Sequence, residues 1–305
     1  MTATTIDAPR IDGVARDPRR GILLMALGIA LFSLLNAAVK WQSETFPINQ
    51  IIFFRNAFAL IPVLVMARRM GGLPALRTAR PREQILLALV WTGVLVLMFG
   101  AYHIMPLADA TAISFLQPIV VTLLSAPLAG DRVGWRDWGA VLIGIAGVLL
   151  MVDPTGRGSV FGAALAFSGM VLSAFSMIMQ RRLSRTETSI SVVVWTLGIS
   201  AATMVPTLPF SWVMPSGAQL AGLIAMGLAS GAFQYLTVRS LYHASAAAVS
   251  AVSYTKMIWA IVIGFVAFGD VPTPAVLLGT LVILASTVLA YGSGRRDAAA
   301  PDETR

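Results

Sequence analysis

Ten apolar stretches, each of about the length needed to cross a bilayer, follow one another along this chain with little between them. They fall at about 21–40, 47–67, 84–103, 107–128, 137–152, 159–180, 189–209, 217–239, 246–268 and 274–292. A bilayer core is about 30 Å thick and takes about 20 apolar residues per helix. In that medium every backbone N–H and C=O has to be bonded within the segment, so runs of this kind become helices. The connections are short and carry Pro, Gly or charge, as in "SETFPIN", "DPTGRG" and "GDVPTP", and such punctuation ends helices. The fifth stretch is short and the third and fourth nearly touch at "YHIMPLADA", which leaves nine and eleven as the neighbouring counts. The expected fold is an all-α polytopic membrane protein with ten transmembrane helices. Composition agrees, with 57% of residues hydrophobic and 12% charged, where soluble domains carry about 25% charged residues.

The charges assign the two sides. With the N-terminus inside, 18 of the 22 Lys and Arg residues fall on one side, among them Arg68, Arg69, Arg77, Arg80, Arg82, Arg181 and Arg182. Lys40 and Arg157 fall on the other side, and Arg55 and Lys256 lie within spans. By the positive-inside rule both termini are then cytoplasmic, in a bacterial-type inner membrane. The net charge of +8 is therefore a topological signal. Nucleic acid is not expected as a partner, because that reading needs the cations on one folded face with aromatics among them. Residues 1–20 and 293–305 are polar and read as disordered cytoplasmic tails, and the first of them has no apolar core of a cleaved signal peptide.

Several function classes drop out. The chain has no cysteine, so disulfides and thiolate chemistry are excluded. There is no HExxH metal helix, no GxSxG elbow and no Walker loop, so neither an enzyme nor a cofactor is expected. The two histidines, His103 and His243, fall at helix ends on opposite sides, which makes a shared metal site implausible.

The chain repeats itself. "ADATAISFLQPIVVTLLSAPLAGDRV" lies over "AAAVSAVSYTKMIWAIVIGFVAFGDVP" when Gly130-Asp131 is set on Gly269-Asp270, an offset near 139 residues. The opening helices fit a similar offset, with "SLLN" (33–36) over "SAFS" (173–176). Five spans per half is an odd number, so the halves, 21–152 and 153–292, must have opposite topology. Inverted repeats with a site at their interface are a transporter architecture. These stretches, with "WGAVLIGIAGVLLMV" and "VLLGTLVILAS" after them, resemble the EamA domain of the drug/metabolite transporter superfamily over essentially all of residues 21–292. The resemblance implies ten helices as two inverted five-helix repeats, cytoplasmic termini, a cavity between the halves and alternating access. Related members move amino acids, S-adenosylmethionine-like metabolites, sugars or drugs. The family usually has Gly-Glu where this chain has Gly-Asp twice, which shortens the carboxylate by one methylene.

Ionisable groups inside the membrane point to function, because leaving one uncompensated costs about 2.5–3.5 kcal/mol or more. Arg55 lies eight residues after Pro47, about 12 Å along a helix, within snorkelling reach of the outer surface. It reads as an outer-side contributor (anchor, gate or electrostatic guide) with Glu44 or Asp109 as partner, and a substrate contact stays open. Lys256 lies ten residues into its stretch, about 15 Å from either surface, where snorkelling offers no escape. Its mate in the repeat is Gln117, followed by Pro118, which removes a backbone donor and leaves a carbonyl free one turn earlier. Irregular backbone at that depth lines cavities. A charged lysine there attracts an anionic group, and a lysine that releases its proton can couple transport to protons. Ser114, Asn36, Trp91, Gln234 and Tyr254 are the supporting candidates. Trp41, Trp135, Trp138 and Trp212, near span ends, read as interfacial anchors.

The expectation is a secondary active transporter for a small organic metabolite, an amino acid or a derivative with an anionic group, whose other partner is the lipid bilayer. A passive channel or facilitator and a non-transporting scaffold are the alternatives. Proton or other ion coupling, direction and oligomeric state are left open.

Overall fold

The computed structural model describes residues 17–69, 72–129, 160–184, 186–243, 255–283 and 285, with 139, 142, 143, 145–147, 149, 150, 252 and 253. Every regular element among them is helical. They are α1 (Pro18–Gln42), α2 (Ile48–Arg69), α3 (Pro81–Ile104), α4 (Leu107–Ser114), α5 (Gln117–Ala129), α6 (Val160–Leu183), α7 (Ser189–Met204), α8 (Gly217–His243), α9 (Lys256–Phe268) and α10 (Pro274–Ile283). Short 3-10 turns cover Leu73–Leu76 and Val205–Phe210. Six helices are long and apolar enough to cross a membrane, starting with α1, and Leu107–Val121, Lys256–Phe268 and Pro274–Ile283 are shorter apolar helices. Helical residues between 139 and 150 fall where the fifth stretch was expected.

The helix starts follow local chemistry. Asp17 caps α1, accepting from the N–H groups of Arg19 at 3.0 Å and Arg20 at 3.3 Å, and Pro18 takes the first position, where a missing N–H is harmless. Thr188 caps α7 in the same manner. The side chains then sort by face. On α1, Leu23, Leu27 and Leu34 point outward at 64%, 61% and 55% exposure, the surface a bilayer covers. Met25, Ile29, Ser33 and Asn36 form the buried stripe, at the three- and four-residue spacing that stacks side chains on one helix face.

The expected fourth and ninth spans are each interrupted. After Ser114 the chain makes a tight turn at Phe115 and Leu116, and α5 begins at Gln117. Pro118, with no N–H to bond the carbonyl four residues back, accounts for this break. The second break, at Thr255, precedes α9 and has no proline behind it. Gln117 and Lys256, mates in the repeat, are thus the first residues of α5 and α9, a correction to the uninterrupted helices read from the sequence.

Contacts between the halves come in mated pairs, as a two-fold relation requires. The packing of α1 on α8 has its counterpart in α6 on α3, and α2 on α8 in α7 on α3. Likewise α1 on α9 matches α6 on α5, whereas α2 with α7 is its own counterpart. The α2–α8 contact is close because Gly227 and Gly231 leave out a side chain. A Cβ on Gly231 would lie 2.5 Å from the Ala59 carbonyl oxygen, and one on Gly227 2.9 Å from that of Phe54. Small residues are the usual device for close helix approach in lipid.

Hydrogen bonds fix which helix ends share a face. His103 Nδ1 and Ser43 Oγ, 3.1 Å apart, join the ends of α3 and α1. Asn49 donates to the Thr207 carbonyl and hydroxyl and to Ser211 Oγ. Gln50 exchanges two bonds with the Val213 backbone, bringing the start of α2 to the turn between α7 and α8. We call this the far face. On the near face, where α1 begins, Trp195 Nε1 donates to the Leu76 carbonyl and Thr188 Oγ1 to that of Ala75.

Candidate functional site

A cavity of about 130 Å³ lies between the halves, lined by residues of α1, α2, α3, α4, α5, α6 and α9. Six of the eight residues singled out from the sequence line it: Lys256, Gln117, Arg55, Ser114, Asn36 and Trp91. Tyr254 lies outside the described residues. Gln234, on α8, is half-buried and does not line the cavity. The reason is packing: α8 lies against α1 and α2, two helices that themselves form part of the wall.

The two-fold relation runs through the wall. Gln117 and Lys256 are repeat mates, as are Ser33 and Ser173, and all four line the cavity. Lys256 Nζ donates to Ser114 Oγ at 3.2 Å and sits 4.4 Å from the centre of the Phe115 ring. Ser114 is oriented to accept, because its own hydroxyl proton goes to the Thr111 carbonyl at 2.6 Å. It is also the residue whose carbonyl Pro118 leaves without its helical donor. The broken helix and the lysine therefore meet at one serine.

Arg55 does not reach for the surface. It is 8% exposed, and its guanidinium carbon lies 5.7 Å from the centre of the Phe99 ring. Among the described residues it pairs with neither Glu44 nor Asp109. Its Nη1 donates instead to Asn56 Oδ1 at 3.0 Å. Asn56 is held from behind: its Nδ2 donates to Ser200 Oγ at 2.8 Å, and Ser200 and Thr92 hydroxyls are 2.8 Å apart. Thr92 Oγ1 lies 2.7 Å from the Ala88 carbonyl, which can only accept, so the proton order runs from Asn56 through Ser200 and Thr92 to Ala88. That order leaves the Asn56 oxygen facing Arg55.

Asp109, named above as a partner for Arg55, lies on α4, which packs against α1 and α9. No acidic side chain is among the residues lining the cavity, which carries two cations. The wall is otherwise apolar and aromatic, with Phe32, Trp91, Met98 and Phe99, and a few convergent polar groups, the usual make-up of an organic-ligand site. The sequence missed Thr111, Ser173, Tyr102 and Ser33. Ser33 shares a helical stripe with Asn36 and could have been found, whereas the Asn56–Ser200 bond joins residues 144 apart and left no local sign.

Helices of membrane-spanning length, two related halves and a cavity between them define an integral membrane protein of the two-repeat transporter class. The chain belongs to the EamA-like transporter family, which matches residues 19–153 and 160–292. Known relatives are transporters of metabolites. The pseudopaline exporter CntI of Pseudomonas aeruginosa is 27% identical over 274 residues, covering 88% of this chain and 95% of that protein. A riboflavin transporter of Rhizobium johnstonii is 28% identical over 286 residues, 90% of this chain and 93% of that one. An S-adenosylmethionine uptake transporter of Rickettsia prowazekii is 21% identical over 288 residues, 93% and 97% of the two chains. A crystal structure with 20% sequence identity shares the fold at a TM-score of 0.62, over 90% of this chain and 96% of that one.

Proposed function

We propose that this protein is a secondary active carrier that moves a small organic metabolite bearing an anionic group across the inner membrane by alternating access. The observation that carries the reading is the cavity with Arg55 and Lys256 on its wall and no acidic side chain among the residues that line it. Two further features point the same way. Both span interruptions start a new helix at the cavity, at Gln117 and at Lys256, and the positive end of a helix dipole favours an anion. Ten helices in two inverted five-helix repeats, with both termini cytoplasmic, is the topology that goes with this reading.

Within the metabolites that relatives carry, an amino acid or amino-acid derivative fits the chemistry best: its carboxylate suits Arg55 and Lys256, and Gln117, Asn36 and Ser114 offer donors and acceptors to its other polar groups. S-adenosylmethionine, the substrate in the name of the Rickettsia relative, belongs to that class. Lys256 is the group placed to exchange a proton if transport is proton-coupled.

The test is a thermal-shift screen of the purified protein against amino acids, S-adenosylmethionine and riboflavin, because a ligand that binds the folded state raises its stability. Hits then enter a counterflow assay in proteoliposomes. Saturable exchange supports the carrier, an unsaturable leak indicates a channel, and a panel without a stabilising anion refutes the substrate class.

A further inference from the structure

Beyond the cavity, on the way to the far face, stands an ion pair between the halves. Lys40 Nζ lies 2.7 Å from Asp270 Oδ2, with side chains 13% and 24% exposed. Lys40 belongs to the first repeat and Asp270 to the second. Among the described residues the other ion pair, Arg80 with Glu83, is local to the start of α3.

The pair continues the cavity wall. Lys40 is one turn beyond Asn36 on α1, about 6 Å further toward the far face. Its ammonium also lies 4.6 Å from the centre of the Phe268 ring, the last residue of α9. Asp270 is held rigidly. Gly269 takes the left-handed conformation at φ 67°, and the Asp270 N–H bonds back to the Gly264 carbonyl at 3.0 Å, closing the helix with the carboxylate projecting at its end. Beneath the pair the cavity wall is buried, with Tyr102 5%, Phe99 3% and Leu107 1% exposed. The lining residues deeper toward the near face, Trp91, Ser114, Gln117, Ser173 and Lys256, are half-buried. This gradient of burial points to a cavity closed at the end where the ion pair stands.

Asp109 gives the lysine a second acceptor. It sits on α4, in the same repeat as Lys40, and α4 packs against both α1, which carries Lys40, and α9, which Asp270 follows. Parting of the halves at the far face has to break the bond to Asp270. A lysine left unpaired there would oppose that motion strongly. With Asp109 travelling in its own half, Lys40 exchanges one carboxylate for another. The repeat does not demand such a pair at both ends: the offset that lays "SLLN" over "SAFS" puts Gln180 in the place of Lys40.

We infer that Lys40, Asp270 and Asp109 form the far-face gate of the transport cycle, with Lys40 bound to Asp270 when the cavity is closed to that side and to Asp109 when it is open. This rests on the alternating-access reading above. The chain has no native cysteine, so Thr111→Cys, on the cavity wall, supplies a unique thiol. Its modification by a membrane-impermeant methanethiosulfonate is followed in sealed vesicles of each orientation, the near face being marked by an N-terminal tag.

The reporter is expected to react mainly from the near face. Lys40→Gln and Asp270→Asn each raise reaction from the far face by about tenfold, within the range of ordinary two-state couplings, and lower it from the near face. The exchanged pair Lys40→Asp with Asp270→Lys returns both rates toward the starting values. Asp109→Asn acts in the opposite sense, slowing far-face reaction by removing the second acceptor. Unchanged rates in Lys40→Gln and Asp270→Asn, with the reporter still reached alternately from each side, overturn the gate and leave alternating access standing. An exchanged pair as leaky as the single variants also overturns it, and so does faster far-face reaction in Asp109→Asn. Equal, rapid reaction from both faces before any gate substitution refutes alternating access itself, and the gate with it.

Discussion

Replacing Asn56 by aspartate separates the two roles that Arg55 could have. In the native protein the Asn56 oxygen accepts from Arg55 at 3.0 Å at a site with no solvent exposure. A carboxylate there would put opposite charges ~4 Å apart, a gain of about 4 kcal/mol at an effective dielectric constant near 20. Withdrawing that carboxylate from water costs several kcal/mol, so the folded state changes little. The ligand feels a different effect. An anion held ~6 Å from Arg55 loses an attraction of about 2.8 kcal/mol at the same dielectric constant once the guanidinium is neutralised. That is about 100-fold in Kd.

Asn56→Leu inverts the pattern. It leaves Arg55 charged and removes the bond to it, costing about 1.5–3 kcal/mol of stability if aqueous values hold. The lower coupling energies measured in lipid, about 0.6 kcal/mol on average, set the floor. Its effect on anion binding is then a few-fold at most. The assay is thermal unfolding in detergent, with and without each anionic hit from the amino-acid and S-adenosylmethionine screen, giving stability and Kd from one data set. If Asn56→Asp binds those ligands as the wild type does, Arg55 is a structural anchor and the argument from two cavity cations is wrong.

Lys256→Gln, which keeps a donor for Ser114 but no charge, should weaken anionic ligands by about tenfold or more in the same titrations and leave neutral ligands nearly unaffected. Gly231→Ala drives a Cβ into the Pro62 ring and 2.5 Å from the Ala59 carbonyl oxygen. We expect it to destabilise by about 1–3 kcal/mol, whereas Gly198→Ala, with nothing within 4 Å, should be neutral or slightly stabilising in thermal unfolding. Gln50→Leu leaves the Val213 N–H and C=O without the side-chain partners they now have at 3.0 and 2.8 Å. The midpoint of detergent unfolding should fall by the equivalent of about 1–3 kcal/mol.

Much of the fold could be read from apolar run lengths. The start of α2, expected at 47, lies at 48, and that of α6, expected at 159, lies at 160. Lipid enforces this legibility, since a span must be apolar over a fixed length or it does not insert. The interruption of the fourth span was half legible, because Pro118 announces a lost donor, whereas the break before Lys256 carries no such mark. Of the cavity wall, Lys256, Gln117 and Ser114 could be picked out from the sequence. Arg55 was placed too far out, because distance along a helix says nothing about which way the side chain turns. Here Asn56, itself held by Ser200, supplies a bonding partner inside the bundle.

The sequence by itself determined the membrane setting, the helical class and the repeat, because each is imposed locally, by hydropathy, backbone bonding and the 139-residue echo. Only the tertiary structure decided that Arg55 and Lys256 share one cavity, that Gln234 lies outside its wall and that Lys40 meets Asp270 across 230 positions of chain. Those are facts about how the two halves pack. In lipid that packing is set by close approach of small residues and by single polar bonds between helices, neither of which leaves a periodic trace along the chain.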